Sequence, residues 1–285
     1  MDVAVDLTQM NHPLAKRTVF FLLLPLCVLL LLFFVWPLGL VAWSSVFENG
    51  FTAQGYVKVL TSTLIQRVML NTLEISVSAT LASLVLGYAI AHHLAGMTPQ
   101  RRAPYLLMVM LPFWTSILVK SFAFTVTLGN SGALNQLLGW LSGNHWHIEM
   151  MFNRIGVVIG MMNYLLPFMV LPILASLLKQ NRSLRLAAEI MGAGPVRIFL
   201  SITLPLSLPG VYAGILMCLT LSLGMYITPA LLGGRRDMML GNLIDFYTRQ
   251  TLDWNLSASI AMVLLVLSSV FLLTLSRLER NTQKT

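Results

Sequence analysis

Few side chains in this 285-residue sequence are arranged for covalent chemistry. The sequence contains no phosphate-binding loop of the form G-x-x-x-x-G-K-[ST], no H-E-x-x-H zinc motif and no G-x-S-x-G nucleophile turn. His145 and His147 lie one residue apart, but two ligands without a third nearby do not predict a metal site. We therefore expect no enzymatic activity, no ATP hydrolysis and no metal centre on this chain.

Two charged residues are more informative because each lies at or within an apolar stretch. Glu74 precedes the uncharged segment 75–100, and Lys120 interrupts another that extends to Ile148. A charge inside a membrane is costly, so it usually pairs with another charge or lies on a water-filled path. We expect Glu74 and Lys120 to pair, or nearly so, near the outer ends of their helices. The alternative is that each side chain extends separately to the membrane surface.

The composition indicates what kind of molecule surrounds these residues. Hydrophobic residues make up 57% of the chain and charged residues only 10%, whereas soluble domains carry roughly 25% charged residues. A soluble fold could not cover its surface with so few charges, which excludes a cytosolic enzyme, a nucleic-acid-binding protein and a disordered chain. The net charge of +8 then fits the excess of Lys and Arg on the cytoplasmic loops of membrane proteins.

Six apolar stretches are long enough to cross a membrane as helices, each of which needs about 20 residues. The stretches are continuously apolar rather than alternating, which favours helices over barrel strands. The sequence therefore predicts an all-α polytopic membrane protein, with Pro25 and Pro37 bending the first span. The predicted spans lie near 19–44, 70–93, 104–127, 155–177, 206–232 and 256–276.

The distribution of basic residues predicts the orientation. With the N-terminus inside, the cytoplasmic segments carry more Lys and Arg than the outer segments, so both termini are expected in the cytoplasm. The chain then divides into a cytoplasmic N-terminal tail (1–18), a first transmembrane helix (19–44), a five-helix transmembrane domain (66–277) and a cytoplasmic C-terminal tail (278–285). We expect the long loop 179–205 to lie on the cytoplasmic face.

This loop has a pattern of its own. Ser183 can cap a short helix of good helix formers, which the glycines at 192 and 194 end. Pro195 can begin a second short helix. The second helix has an apolar face made of Ile198, Phe199 and Ile202.

The same loop resembles the coupling loop of permease subunits of bacterial ABC importers. In that family Glu-Ala-Ala is followed after three residues by Gly, and nine residues later by Ile-x-Leu-Pro. Leu186 stands where the family usually has Glu, which makes an ion pair from that position doubtful, and Glu189 one turn further on could supply a carboxylate instead. The positions that match the pattern are Ala187, Ala188, Gly192, Ile202, Leu204 and Pro205.

Further segments are similar to spermidine/putrescine-type permeases. They include the stretch 71–88, the Pro-Phe-Trp-Thr sequence at 112–115 with a basic residue at Lys120, and Gly241-Asn242. The resemblance implies a type I ABC importer permease fold in the bacterial inner membrane. It also implies transport of a polyamine or, as an alternative, of another small solute such as aminoethylphosphonate.

The resemblance also implies partners. A second permease would pair with this chain to form a heterodimer that encloses the path, and two ABC ATPase subunits would bind ATP and Mg, so that this chain itself carries no cofactor. A periplasmic binding protein would deliver the solute. Membrane lipid surrounds such a subunit, and no nucleic acid is expected as a partner.

A polycationic solute would favour carboxylates and aromatic faces along its path or gate. Lys120 argues against a cation site at its depth and would better suit a gate or an anionic solute. A secondary transporter or channel that works without an ATPase remains an alternative from a different class. The candidate path residues are Glu74, Trp114, Lys120, Tyr164, Tyr226 and Asp245.

Overall fold

The computed structural model describes residues 16–48, 50–142 and 148–282. Over these residues the protein is helical except for short turns and one isolated bridge between Phe47 and Phe51. The described part of the chain contains six spans long and apolar enough to cross a membrane, as the sequence predicted. These spans are Leu23–Val46, Thr63–Ala95, Ile117–Ser142, Arg154–Leu178, Pro195–Leu223 and Trp254–Thr274.

The described residues up to Ser142 form seven helices and one π-helical segment, Leu31–Val35. The π-helical segment joins α1 to α2 in one continuous span, so the first span is close to its predicted position. The helices are α1 (Lys16–Leu30), α2 (Trp36–Val46), α3 (Gln54–Thr61), α4 (Thr63–Ala95), α5 (Pro99–Trp114), α6 (Ile117–Leu128) and α7 (Ala133–Ser142).

The second half begins with α8, the most buried of the six candidate spans, and ends with the last span. A second π-helical segment, Phe199–Thr203, links α10 to α11. The helices are α8 (Arg154–Leu178), α9 (Arg182–Ile190), α10 (Pro195–Ile198), α11 (Leu204–Leu223), α12 (Ile227–Leu232), α13 (Leu240–Arg249) and α14 (Trp254–Thr282).

Both π-helical segments have the same local cause, a proline two residues beyond the segment. Proline lacks an N–H group and its ring pushes against the carbonyl group four residues earlier. The preceding residue therefore donates its N–H one residue further back than in an α-helix, from Trp36 to Leu31 and from Leu204 to Phe199. The bend predicted from Pro37 thus takes the form of a π-helical turn.

Two of the predicted spans are wrong, because each is two helices rather than one continuous helix. The predicted helix 104–127 is divided between α5 and α6, since Thr115 and Ser116 adopt extended backbone conformations. Pro112 has no N–H to continue the hydrogen bonding in the last turn of α5. The predicted helix 206–232 ends at Leu223, where Gly224 caps it, and α12 is a separate short helix.

The core forms where α4, α8 and α11 pack against one another. Met161, Leu165, Met169 and Ile173 of α8 are completely buried. Glycines allow the close approach, because a Cβ atom at Gly210 of α11 would lie 2.5 Å from the carbonyl oxygen of Pro172. Close packing through small residues is the usual way in which membrane helices associate.

A second cluster unites α3, α4, α13 and α14 at the opposite end of the molecule from α9, and it includes Ile65, Leu243 and Ile260. We call this end the α13 end and the other the α9 end. The first span packs on α14 through α2, where Asn255 donates a hydrogen bond to the carbonyl oxygen of Ser44 (2.9 Å). These contacts position the first part of α4, which carries Glu74.

Candidate functional site

The α9–α10 loop is built as two short helices around a glycine turn. Asn181, and not Ser183 as predicted, caps α9, since its side-chain oxygen accepts a hydrogen bond from the N–H of Ser183 (3.0 Å). The helix begins at Arg182, which places Ser183 inside the first turn. Arg185 and Glu189 form an ion pair (2.9 Å) one turn apart, so the carboxylate of Glu189 already has a partner within α9.

Gly192 ends α9 with a backbone conformation that favours glycine, φ +79°. The N–H of Gly192 donates to the carbonyl oxygen of Glu189 (3.0 Å), and the N–H of Ala193 donates to that of Ala188 (2.9 Å). These two bonds form a Schellman motif, which satisfies the last carbonyl groups of the helix. Pro195 then begins α10 at its first turn, as predicted.

The loop presents an apolar surface that nothing in the described chain covers, which we call the loop ridge and define as Leu186, Ile190, Met191 and Val196. Ile190 is 86% exposed and Met191 is 84% exposed. Ala187 is also exposed, and Ala188 is half-buried. A cluster of exposed apolar side chains next to basic residues marks a surface suited to a protein partner.

The last residues of the loop, from Ile198 onward, turn inward instead. Ile198 is buried, and Ile202 and Leu204 are half-buried, whereas Pro205 is exposed in the first turn of α11. The ring of Phe199 packs edge-on against Tyr88 (centroids 5.8 Å apart) and against His92 (5.4 Å), both on α4. The hydroxyl group of Tyr88 lies 2.9 Å from that of Ser207 on α11. This aromatic cluster links the loop directly to α4.

At the α13 end, Arg154 holds three segments together. Its guanidinium group lies 2.5 Å from a carboxylate oxygen of Glu74 and donates to the side-chain oxygen of Asn71 (3.1 Å). Its Nε lies 3.5 Å from Asp237, which is buried in the turn before α13. The side chain of Asn71 in turn donates to the carbonyl oxygen of Arg236 (2.6 Å). We call these residues the Arg154 cluster.

The prediction that Glu74 pairs with Lys120 is therefore wrong. Glu74 pairs with Arg154 at the start of α8, a residue that the sequence placed in an outer loop without assigning it a role. The partners of Arg154 lie 80 or more residues away from it in the sequence, so no local pattern could indicate them. Asn71 and Asp237 were missed for the same reason.

The ammonium group of Lys120 has different partners. It donates a hydrogen bond to the carbonyl oxygen of Pro112 in the last turn of α5, and it lies 5.1 Å from the ring centroid of Tyr164 on α8. The Tyr164 ring contacts Phe168 (centroids 5.7 Å apart), which in turn contacts Phe113 (5.7 Å). Of the six predicted path residues, the structure brings only Lys120 and Tyr164 together in this way.

The other predicted path residues lie apart from this pair. Trp114 is 69% exposed at the end of α5. Tyr226 is an exposed residue between α11 and α12, and its carbonyl oxygen accepts a hydrogen bond from Asn242 (3.0 Å). Asp245 forms an ion pair with Arg249 (2.7 Å) within α13.

The described residues contain no group of three or more His, Cys, Asp and Glu side chains that could hold a metal ion. His145 and His147 lie outside the residues that the structure describes. The site thus consists of an exposed apolar surface at one end, a charged cluster at the other, and a cation against an aromatic wall on α6 and α8.

Comparisons with known proteins place this arrangement in a family. No family model matches the chain. It is 34% identical over 234 residues to the spermidine/putrescine transport system permease protein PotB of Escherichia coli, covering 82% of this chain and 85% of that protein. PotB of Haemophilus influenzae is 32% identical over 265 residues, covering 92% of this chain and 90% of that protein.

A solved structure has the same fold. It is a bacterial ABC transporter involved in the import of the acidic polysaccharide alginate, and one of its chains superposes with a TM-score of 0.75. The match covers 93% of this chain and 96% of that chain at 19% identity. The family of the chain follows from this shared fold together with the identity to the PotB proteins, the six apolar spans and the coupling-loop pattern. The chain belongs to the permease subunits of bacterial ABC importers, in the group of spermidine/putrescine-type permeases.

Proposed function

We propose that this multi-pass inner-membrane permease forms one half of an ATP-driven path for a polyamine, with a second, similar permease forming the other half. Both termini and the loop 179–205 lie in the cytoplasm, where two ABC ATPase subunits bind ATP and Mg. A periplasmic binding protein delivers the solute at the α13 end. The chain itself carries no cofactor and catalyses no reaction.

The exposed loop ridge is the observation that carries this proposal. The loop that presents these apolar side chains also carries Arg182, Arg185 and Arg197. An apolar surface edged by basic residues fits a protein groove with an acidic rim. Because Leu186 replaces the family's usual Glu, this docking rests on apolar contact rather than on an ion pair from that position.

The aromatic cluster supports a route for the coupling. When the ATPase subunits close, they push the loop ridge, and the push reaches α4 through Phe199, Tyr88 and His92. Because α4 is one unbroken helix of 33 residues, it carries this motion to Glu74 in the Arg154 cluster. The path then alternates between openings toward the cytoplasm and toward the periplasm.

The polyamine assignment draws on the identity to the PotB proteins and on the aromatic wall beside Lys120. Aromatic faces attract ammonium groups without the strong retention of a carboxylate. Aminoethylphosphonate is the alternative solute within the same machinery, and the positive charge of Lys120 would suit its phosphonate group.

Solute uptake in a strain that lacks this chain tests the proposal. Cells complemented with the wild-type gene should accumulate labelled putrescine or spermidine, and the Gly192→Trp variant should insert into the membrane without restoring uptake. If the cells take up aminoethylphosphonate instead of a polyamine, the solute assignment changes and the proposed ATP-driven machinery stands. Uptake that survives Gly192→Trp and depletion of ATP would favour a self-contained secondary transporter.

A further inference from the structure

Lys120 has an unusual set of partners for a charge in a membrane protein. Among the described residues, no Asp or Glu side chain forms an ion pair with it. Its ammonium group lies between a neutral carbonyl oxygen and an aromatic face instead. A charge in or near a membrane normally finds an opposite charge or water, so this arrangement calls for an explanation.

The carbonyl oxygen of Pro112 faces Lys120 because α5 ends here, and it also accepts a hydrogen bond from the hydroxyl group of Thr115 (3.1 Å). Pro112 lies in the last turn of α5, and the extended residues Thr115 and Ser116 separate α5 from α6. The last carbonyl groups of a helix lack intrahelical partners and carry partial negative charge, so they attract cations. In other transport proteins, interrupted membrane helices whose free carbonyl groups face a cavity form cation sites.

The aromatic side of the site comes from a different helix. Tyr164 on α8 supplies the ring that faces the ammonium group, and Phe168 and Phe113 extend the aromatic surface away from it. A cation over a ring is attracted by the negative face of the π system. The extended surface would cover the methylene chain of a longer amine.

The chemistry of Lys120 itself matches such a ligand. Its side chain is four methylene groups ending in a primary ammonium, which is the aminobutyl unit of putrescine and spermidine. An ammonium of the solute would make the same hydrogen bond to Pro112 and the same contact with Tyr164. The two ammonium groups cannot occupy this position together, because like charges at such a distance repel.

We propose that the carbonyl oxygen of Pro112 and the ring of Tyr164 form a binding site for a primary ammonium group of the solute, and that Lys120 fills this site when no solute is present. Lys120 is then a tethered competitor that prevents the permease from retaining its solute between transport cycles. This inference rests on the polyamine function proposed above and names the site that recognises the ammonium group.

Equilibrium binding of labelled putrescine tests the inference in the complete transporter, held in lipid nanodiscs without the binding protein. Lys120→Met empties the site, so putrescine should bind about tenfold more tightly than to the wild type. Lys120→Arg keeps the cation and should bind like the wild type. The double variant Lys120→Met/Tyr164→Leu should lose the gain, because the ring is missing.

Three results would overturn the inference: putrescine binding unchanged or weaker in Lys120→Met, a gain that survives Tyr164→Leu, or binding of aminoethylphosphonate that depends on Lys120 while putrescine binding does not. If Lys120→Met does not assemble, Lys120→Gln makes the same test with a polar side chain. ATP-dependent putrescine uptake by the wild-type preparation separates the two proposals. Wild-type uptake without a gain in Lys120→Met refutes only the ammonium site, whereas a wild type that neither binds nor transports putrescine refutes both.

Discussion

At the turn between α9 and α10, the two glycines of the loop differ in their backbone conformations. Gly192 has φ +79°, and Gly194 has φ −69°. A Cβ atom at either position would meet nothing within 4 Å, so sterics with neighbours do not distinguish them. Because φ is positive only at Gly192, a residue with a side chain costs about 1–2 kcal/mol there and has no such cost at Gly194.

Gly192→Ala should therefore reduce solute uptake several-fold, because a cost of about 1–2 kcal/mol depopulates the loop geometry that presents the loop ridge. Gly194→Ala, its matched control, should transport like the wild type. Uptake rates at equal amounts of protein in the membrane measure both. Equal rates for the two variants would show that this turn is not needed for coupling.

Arg154 is the residue on which the α13 end depends most. Arg154→Met would leave the buried carboxylate of Asp237 without its ion pair and should cost about 1–3 kcal/mol. Arg249→Met removes an exposed cation that pairs only within its own helix and should cost less than about 0.5 kcal/mol. Thermal unfolding of the two variants in detergent measures the difference, and similar midpoints would contradict a structural role for the Arg154 cluster.

At the scale of the elements, the packing of α11 on α8 depends on the absence of a side chain at Gly210. In Gly210→Ala, the new methyl group would lie 2.5 Å from the carbonyl oxygen of Pro172 and 3.0 Å from the Cα of Ile173. Both are backbone atoms, so the helices must move apart, at a cost of about 1–3 kcal/mol.

Gly39→Ala is the control for this change. Gly39 also lies within a helix, α2, but a Cβ atom there meets nothing within 4 Å, so alanine should be neutral or stabilising. Thermal unfolding and membrane yield should fall for Gly210→Ala alone. A normal yield and midpoint for Gly210→Ala would mean that α8 and α11 are less tightly packed than described.

The elements also show how far a sequence predicts this structure. Hydropathy predicts the six spans because continuous apolar runs in lipid must become helices. It does not predict the break at Thr115, since Pro112 is compatible with either a kink or an end. The carbonyl group of Pro112, left without a helical partner by the break, accepts hydrogen bonds from Thr115 and from Lys120 eight residues later. The loop pattern around Gly192 predicts its turn because that turn is local, whereas the partners of Glu74 and Lys120 depend on contacts between distant segments.

At the scale of the whole molecule, the two ends of α4 connect surfaces with different tasks. The α9 end exposes the loop ridge, and the α13 end is held by the Arg154 cluster. The described chain leaves the loop ridge uncovered, which is consistent with a subunit that works within a larger assembly. In the function proposed above, the loop ridge is the contact with the ATPase subunits.

The most direct test is purification of the tagged chain from its native host in mild detergent, with mass spectrometry of what accompanies it. The wild type should recover a P-loop ATPase and a second six-span permease. Ile190→Asp places a charge in the loop ridge and should lose the ATPase while keeping the second permease. Leu252→Asp changes an equally apolar exposed residue at the α13 end and should keep both. An ATPase that remains bound to Ile190→Asp, or a wild-type chain that purifies alone, would contradict the account.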